Sequence, residues 1–163
     1  MSFNIKITTV DMIVEGEIEL DCSVARVWPS IMNYTSWQNF THAEHISGVE
    51  GGEGEIVLLC KREKGTDIYP PYYARTMLIE PEKRFIWKTY FEQENSAFDF
   101  SGIVDFRLKD QLGSTLFTYN MYYEYFVKNL SEEERVKFKK DRLADFNIMM
   151  PTILGKLKTL VEQ

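Results

Sequence analysis

The chain has 163 residues, the length of one domain rather than two and enough to enclose a single sizeable core. Its 44% hydrophobic and 27% charged residues exclude wholesale disorder. The net charge of −6 repels phosphate backbones, so no nucleic-acid partner is expected, and no apolar run approaches the ~20 residues of a transmembrane segment.

Near the N-terminus Lys6 is the one early cation and Asp11 interrupts a modest apolar stretch, so no secretory leader is read there. Cys22 and Cys60 have no CxxC spacing and read as reduced thiols of a cytoplasmic protein. Val14 to Asp21 alternates strictly, with Val14, Gly16, Ile18 and Leu20 on one face and three glutamates on the other, which predicts a strand. Residues 1–10 either extend that strand or form an N-terminal arm. Asp21 or Ser23 can then cap a short helix to about Met32, on the spacing of Val24, Val27, Trp28 and Ile31. Pro29 inside it predicts a kink or early break, and a second helical turn is expected over 34–40.

From Ala43 to Phe126 the period is two, and turn residues separate six further strands. Hairpin-length turns make them an antiparallel meander. Phe98, Phe100, Gly102, Val104, Phe106 and Leu108 share a dry face, as do Phe117, Tyr119, Met121, Tyr123 and Tyr125, and again Phe85, Trp87, Thr89 and Phe91. The last element is a long helix from about Glu132 to Val161, opened by a Ser131–Glu134 capping box. Leu143, Phe146, Met150, Ile153, Leu157 and Leu160 form its apolar stripe, and Pro151 predicts a bend. The fold class is α+β: a seven-stranded antiparallel sheet wrapped around one long C-terminal helix, with two short helices between strands 1 and 2. A twisted sheet meets a single helix along a line, so either large side chains or a ligand fill the rest.

This order resembles the START-like helix-grip superfamily, also called SRPBCC, over about Met12 to Glu162. The matching features are Val27, Trp28 and Pro29 running to Tyr34 and Trp37, the glycine loop Gly48 to Gly54, the Glu80–Pro81 turn into Arg84, Phe85, Ile86 and Trp87, and the terminal helix. The superfamily includes lipid-transfer START domains, polyketide cyclases, pollen-allergen proteins and activators of the heat-shock ATPase. The resemblance implies a container and specifies no reaction.

Other motifs read plainly. The glycine loop lacks a Lys-Ser/Thr ending and carries Glu50 and Glu53, so it reads as a turn at the cavity rim rather than a phosphate cradle. His42 and His45, three apart on a strand, point to opposite faces, and no metal site, cofactor or catalytic residue is assigned. Asp99, Asp105, Glu92 and Glu124 fall on the wet face, and Arg135 to Arg142 reads as a solvated helix surface.

The aromatic dry face carries the functional expectation: a hydrophobic, aromatic or lipid-like small molecule held between sheet and helix. The expected lining is Trp37 near the mouth, Trp87, Phe100, Phe106, Tyr119 and Tyr123 from the sheet, Met150 from the helix, and Arg75 should it point inward. Gly102 is expected to open space in mid-sheet. Two alternatives are a cyclase-like enzyme using Tyr119, Tyr123 and Arg75, and an interaction module presenting Ile86, Tyr90, Leu116 and Tyr122 on the outer face. The chain is expected to be a monomer or a homodimer.

Overall fold

The computed structural model describes residues 7–38, 40, 42–60, 71–91 and 98–163. Strand β1 (Ile7–Leu20) leads into helix α1 (Val24–Met32) and a 3-10 turn (Tyr34–Ser36). The strands β2 (His42–Ser47), β3 (Ile56–Cys60), β4 (Tyr72–Glu80), β5 (Arg84–Phe91), β6 (Phe98–Gln111) and β7 (Ser114–Lys128) follow, and helix α2 (Glu132–Glu162) ends the chain. The sheet is antiparallel in the order β1-β7-β6-β5-β4-β3-β2, a meander whose last strand returns to pair with the first.

The alternation is legible in detail, and small departures have physical reasons. β1 starts at Ile7, so 7–10 are strand, and the remainder of the expected arm lies outside the described residues. α1 runs through Pro29 to Met32 instead of breaking. A proline costs a helix one backbone donor; the full burial of Val27 and Ile31 holds the helix, and Pro29 itself accepts from the Asn33 N–H at 3.0 Å. The second helical turn is shorter than expected, three residues.

The capping box of α2 is present: Glu134 N–H donates to Ser131 Oγ at 3.2 Å and Ser131 N–H donates to the Glu134 carboxylate at 2.7 Å. The helix is continuous through Pro151. Its two halves differ. Met150, Ile153, Leu154, Leu157 and Val161 are buried against β1 and α1, whereas none of residues 132–149 is fully buried. Leu160, expected in the stripe, is exposed, and Leu154 and Val161 take its place. The far end of the helix is tied to β1 by Lys158 Nζ donating to Glu19 O at 2.8 Å and Asp21 N–H donating to Glu162 at 2.7 Å.

Registers assemble the inner face into cross-strand rows. Val10, Tyr125, Phe100 and Phe91 make one; Met12, Tyr123, Gly102, Thr89, Ala74 and Val57 the next; Val14, Met121, Val104, Trp87 and Thr76 the third. Gly16, Tyr119, Phe106, Phe85 and Ile79 follow, then Ile18, Phe117 and Leu108. From β1 across to β3 none of these five rows contains a charged residue; at the β2 end of the second row His45 faces Val57.

On the outer face, Asp105 departs from expectation: it is buried, not solvated. Arg84 donates to it through Nε (2.9 Å) and Nη2 (2.8 Å), and Arg107 through Nε (2.9 Å) and Nη2 (2.7 Å), so two guanidinium planes cover the carboxylate. Burial alone would raise its pKa; the hydrogen bonds from Arg84 and Arg107 outweigh that and hold it below 3.8.

Candidate functional site

The inner aromatic residues divide into two groups with different packing. At the end closed by α1 and the 3-10 turn, Phe106 lies 4.7 Å from Tyr119, 5.6 Å from Trp87, 5.8 Å from Phe85 and 5.9 Å from Trp37, centroid to centroid. Trp37 is not at the mouth. It is wholly buried, donates through Nε1 to Ser30 O at 2.9 Å, and stands edge-on to Phe117 and Tyr119. A tryptophan directly after a tight turn is carried inward by the turn, where three facing rings accept its edge. Trp37, Trp87, Phe106 and Tyr119, four of the expected lining residues, are thus a close-packed end wall.

The second group is looser. Tyr72 and Phe100 meet at 5.5 Å and Phe40 packs on Tyr72 at 5.8 Å. From α2, Phe138 stands edge-on to Tyr125 at 5.3 Å and Phe146 stacks on Tyr123 at 5.7 Å. Tyr72, Phe100, Phe138 and Phe146 are only half-buried. Of the expected lining, Phe100 and Tyr123 belong here. Met150 sits in the docked half of α2 instead, directly over β1: a Cβ at Gly16 would stand 2.7 Å from its Cγ.

Two further expectations are corrected. Arg75 points outward and is exposed, because the β4 registers place it opposite Lys88 and Ile56 on the outer face. Gly102 does not leave a void, since a Cβ there would stand 2.2 Å from Cδ1 of Tyr123. The Tyr123 ring lies over the glycine, as cross-strand aromatic rings do where no side chain opposes them. What stays small in that row is Thr89 and Ala74, beyond the tyrosine.

Polar atoms gather between the two groups. Tyr119 OH donates to Gln38 Oε1 at 3.2 Å, and Gln38 is 6% exposed. Its Nε2 has no hydrogen-bond partner among the described residues, and neither has Oγ1 of the fully buried Thr89. Burial lifts the Tyr123 phenol to about 12, while the nearby Thr89 hydroxyl pulls the other way. The Tyr72 phenol is raised well above 10 by burial and then by the phenols of Tyr123, Tyr119 and Tyr125. Four phenols therefore converge on this region.

At the β2 edge, a groove of about 370 Å³ is lined by Met32, Asn33, Tyr34, Thr35, His42 and Ala43. Tyr34 separates it from the interior, its ring edge-on to Trp87 at 4.4 Å. Glu55 nearby is committed to the glycine loop: it accepts from Gly51 N–H at 2.8 Å and pairs with His45 Nδ1 at 2.9 Å. That loop is a turn between β2 and β3, with Gly48, Gly51 and Gly54 at positive φ.

Gln38, Tyr72 and Phe138 are not among the lining residues expected from the sequence, and Phe146 is expected only in the apolar stripe of α2. Thr89 carried a signal, the one hydroxyl in an otherwise aromatic run of β5. Gln38 carried none, because its position follows from the turn before it.

No protein-family model and no curated protein sequence matches the chain. Solved structures do match. Norcoclaurine synthase from Thalictrum flavum aligns over 96% of this chain and 96% of its own, with 17% identity and a TM-score of 0.62. The Aha1 dimer from Colwellia psychrerythraea aligns over 93% and 96%, with 16% identity and a TM-score of 0.60. A conserved protein from Geobacillus kaustophilus aligns over 92% and 95%, with 16% identity and a TM-score of 0.64. At such identities the likeness is one of fold, and together with the grip of the sheet on α2 it shows that this chain has the START-like helix-grip fold.

Proposed function

We propose that the protein binds a hydrophobic, partly aromatic small molecule between the inner sheet face and the N-terminal half of α2. One observation carries this reading: residues 132–149 bury no side chain fully, although Phe138 and Phe146 face the rings of Tyr125 and Tyr123. A close-packed interior would cover these residues as completely as it covers Met150 to Val161. A ligand sharing the interlayer would gain ~25 cal/mol for each Å² of apolar surface it buries. One fold neighbour, norcoclaurine synthase, is described in complex with dopamine and hydroxybenzaldehyde, two small aromatic molecules.

Binding is favoured over proton-transfer chemistry by the phenols. A group at about 12, as Tyr123 is, remains protonated at neutral pH and makes a hydrogen-bond donor rather than a base. Arg75, on the outer face, leaves the cyclase-like alternative without its cation. We place the activity in the cytoplasm, where the buried free thiol of Cys22 would stay reduced; no helix among the described residues is long and apolar enough to cross a membrane.

Native mass spectrometry of freshly purified protein, followed by calorimetric titration with 2-ethylnaphthalene, tests the reading. A co-purifying compound or saturable binding supports it. Neither a retained compound nor saturable heat would end it.

A second reading, self-association through the outer face, has its own observation. Ile13, Tyr122 and Ile103 stand side by side in one cross-strand row and are all exposed. Aha1, a fold neighbour, is described as a dimer. Sedimentation of the wild type against Tyr122→Glu distinguishes them: a dimer that the charge converts to monomer supports association, and a wild-type monomer ends it.

A further inference from the structure

We infer that the molecule held in this interior is uncharged and carries a hydrogen-bond acceptor, a carbonyl oxygen being the simplest, which the Gln38 side-chain amide reads. The inference rests on the binding proposal above and names the class of ligand. Three observations lead to it.

The first is the orphaned amide. Gln38 is more than nine-tenths buried, and its Oε1 is taken by the Tyr119 hydroxyl while its Nε2 meets nothing among the described residues. Leaving a buried amide donor unmet costs about 1–3 kcal/mol, so a fold keeps one only where something completes it. The second is Thr89, whose buried hydroxyl faces the Tyr123 phenol and stands beside Ala74 in the row of small side chains. The rings of the end wall rise on one side of that row, those of Phe91 and Phe100 on the other.

The third is charge. Apart from His45, which faces Val57 at the β2 end of the second row and pairs with Glu55, no ionisable acid or base other than tyrosine stands on the five inner rows, and burial keeps the phenols of Tyr72, Tyr119 and Tyr123 protonated. A ligand carboxylate or ammonium would lose its hydration there with no opposite charge to replace it. Two cations stand outside these rows on the N-terminal half of α2, Arg135 and Arg142, both half-buried; Arg135 Nε is buried with no hydrogen-bond partner among the described residues, and the Arg142 guanidinium lies 5.3 Å over Phe138 and 3.8 Å from Asp145. Glu55, the buried acid at the β2–β3 end, is held by His45 and Gly51.

Three probes of one size separate these features: 2-acetylnaphthalene, 2-ethylnaphthalene without the acceptor, and anionic 2-naphthoate, each titrated calorimetrically into the unaltered full-length protein. The ketone should bind about tenfold tighter than the hydrocarbon, equivalent to about 1.4 kcal/mol, and about tenfold tighter than the anion. Gln38→Leu, which removes the amide donor together with the acceptor of the Tyr119 hydroxyl, should bring the ketone-to-hydrocarbon ratio below about twofold. Thr89→Val, nearly isosteric, should reduce the same ratio in part. If ketone and hydrocarbon bind equally to the wild type, Gln38 does not read the ligand and the inference falls, with the binding reading intact. Tightest binding by naphthoate overturns the uncharged class. Failure of all three probes overturns this inference, and in the absence of a co-purifying compound the binding reading with it; the wild-type comparison decides the matter even if a variant does not fold.

Discussion

Gly102→Ala adds one methyl group at the point where the Tyr123 ring crosses the sheet. The new Cβ would stand 2.2 Å from Cδ1 and 2.4 Å from Cε1, against an ordinary contact of ~3.5–4.0 Å, so the ring must retreat by more than ~1 Å. It cannot do so freely, because Phe146 stacks on it at 5.7 Å and Phe100 stands edge-on at 5.7 Å. Overpacking of this kind costs about 1–3 kcal/mol. The carbonyl of Tyr122, 3.1 Å from the same Cβ, adds a smaller crowding that the strand can absorb. Removing the ring first changes the outcome. In a Tyr123→Ala background, Gly102→Ala should be near neutral, with alanine's lower unfolded-state entropy (worth ~0.4–1 kcal/mol) offsetting the residual crowding. Urea unfolding of the wild type, both single variants and the double variant gives the coupling energy, expected at about 1–3 kcal/mol. Additive effects would refute the seating of the ring over the glycine, as would a Gly102→Ala protein as stable as wild type.

Further predictions follow the same geometry. Asp105→Asn should destabilise the protein at pH 7 by about 1–3 kcal/mol, below the full value for a buried pair because Arg84 and Arg107 are partly exposed. Because the folded pKa of Asp105 is depressed below 3.8, its contribution is whole above the unfolded value and is lost as pH falls through the folded one. Denaturation curves from pH 7 down to 3 should therefore fall more steeply for wild type than for the variant; parallel curves would deny the carboxylate this role. Ser131→Ala removes the cap of α2 and should lower Tm by about 3 °C, from ~1 kcal/mol in a domain of this size, with an unchanged Tm counting against it. Phe106→Ala in the end wall should cost about 3–5 kcal/mol. Phe146→Ala, at the half-covered end, should cost less than half as much while weakening 2-ethylnaphthalene binding; equal losses would mean that both ends are equally well packed.

The frame of this fold was legible because its signals are local. Strict alternation marks β1, β6 and β7, and the Ser131–Glu134 spacing announces α2. The site was less legible because it depends on what lies across the sheet. Gly102 suggests empty space along its own strand, but its neighbour in β7 is a tyrosine long enough to cover it. Arg75 lies on a strand with a register shift between Thr76 and Leu78, which blurs the alternation that would have assigned its face. Trp37 and Gln38 follow a short turn, and no periodicity connects them to the sheet they end up touching. Asp105 reads as a solvated acid until two arginines from neighbouring positions close over it.

The return of β7 to β1 also sets a timetable for the growing polypeptide. Leu20 pairs with Thr115 and Ile7 with Lys128, so β1 must wait for 95 to 121 more residues before its partner exists. At ~5–20 residues per second of synthesis, that delay is about 5 to 25 s, during which an alternating fourteen-residue stretch has both hydrogen-bonding edges unmatched. Closing so long a loop is intrinsically slow, so pairing of β1 with β7 is expected after the hairpins between adjacent strands rather than before them.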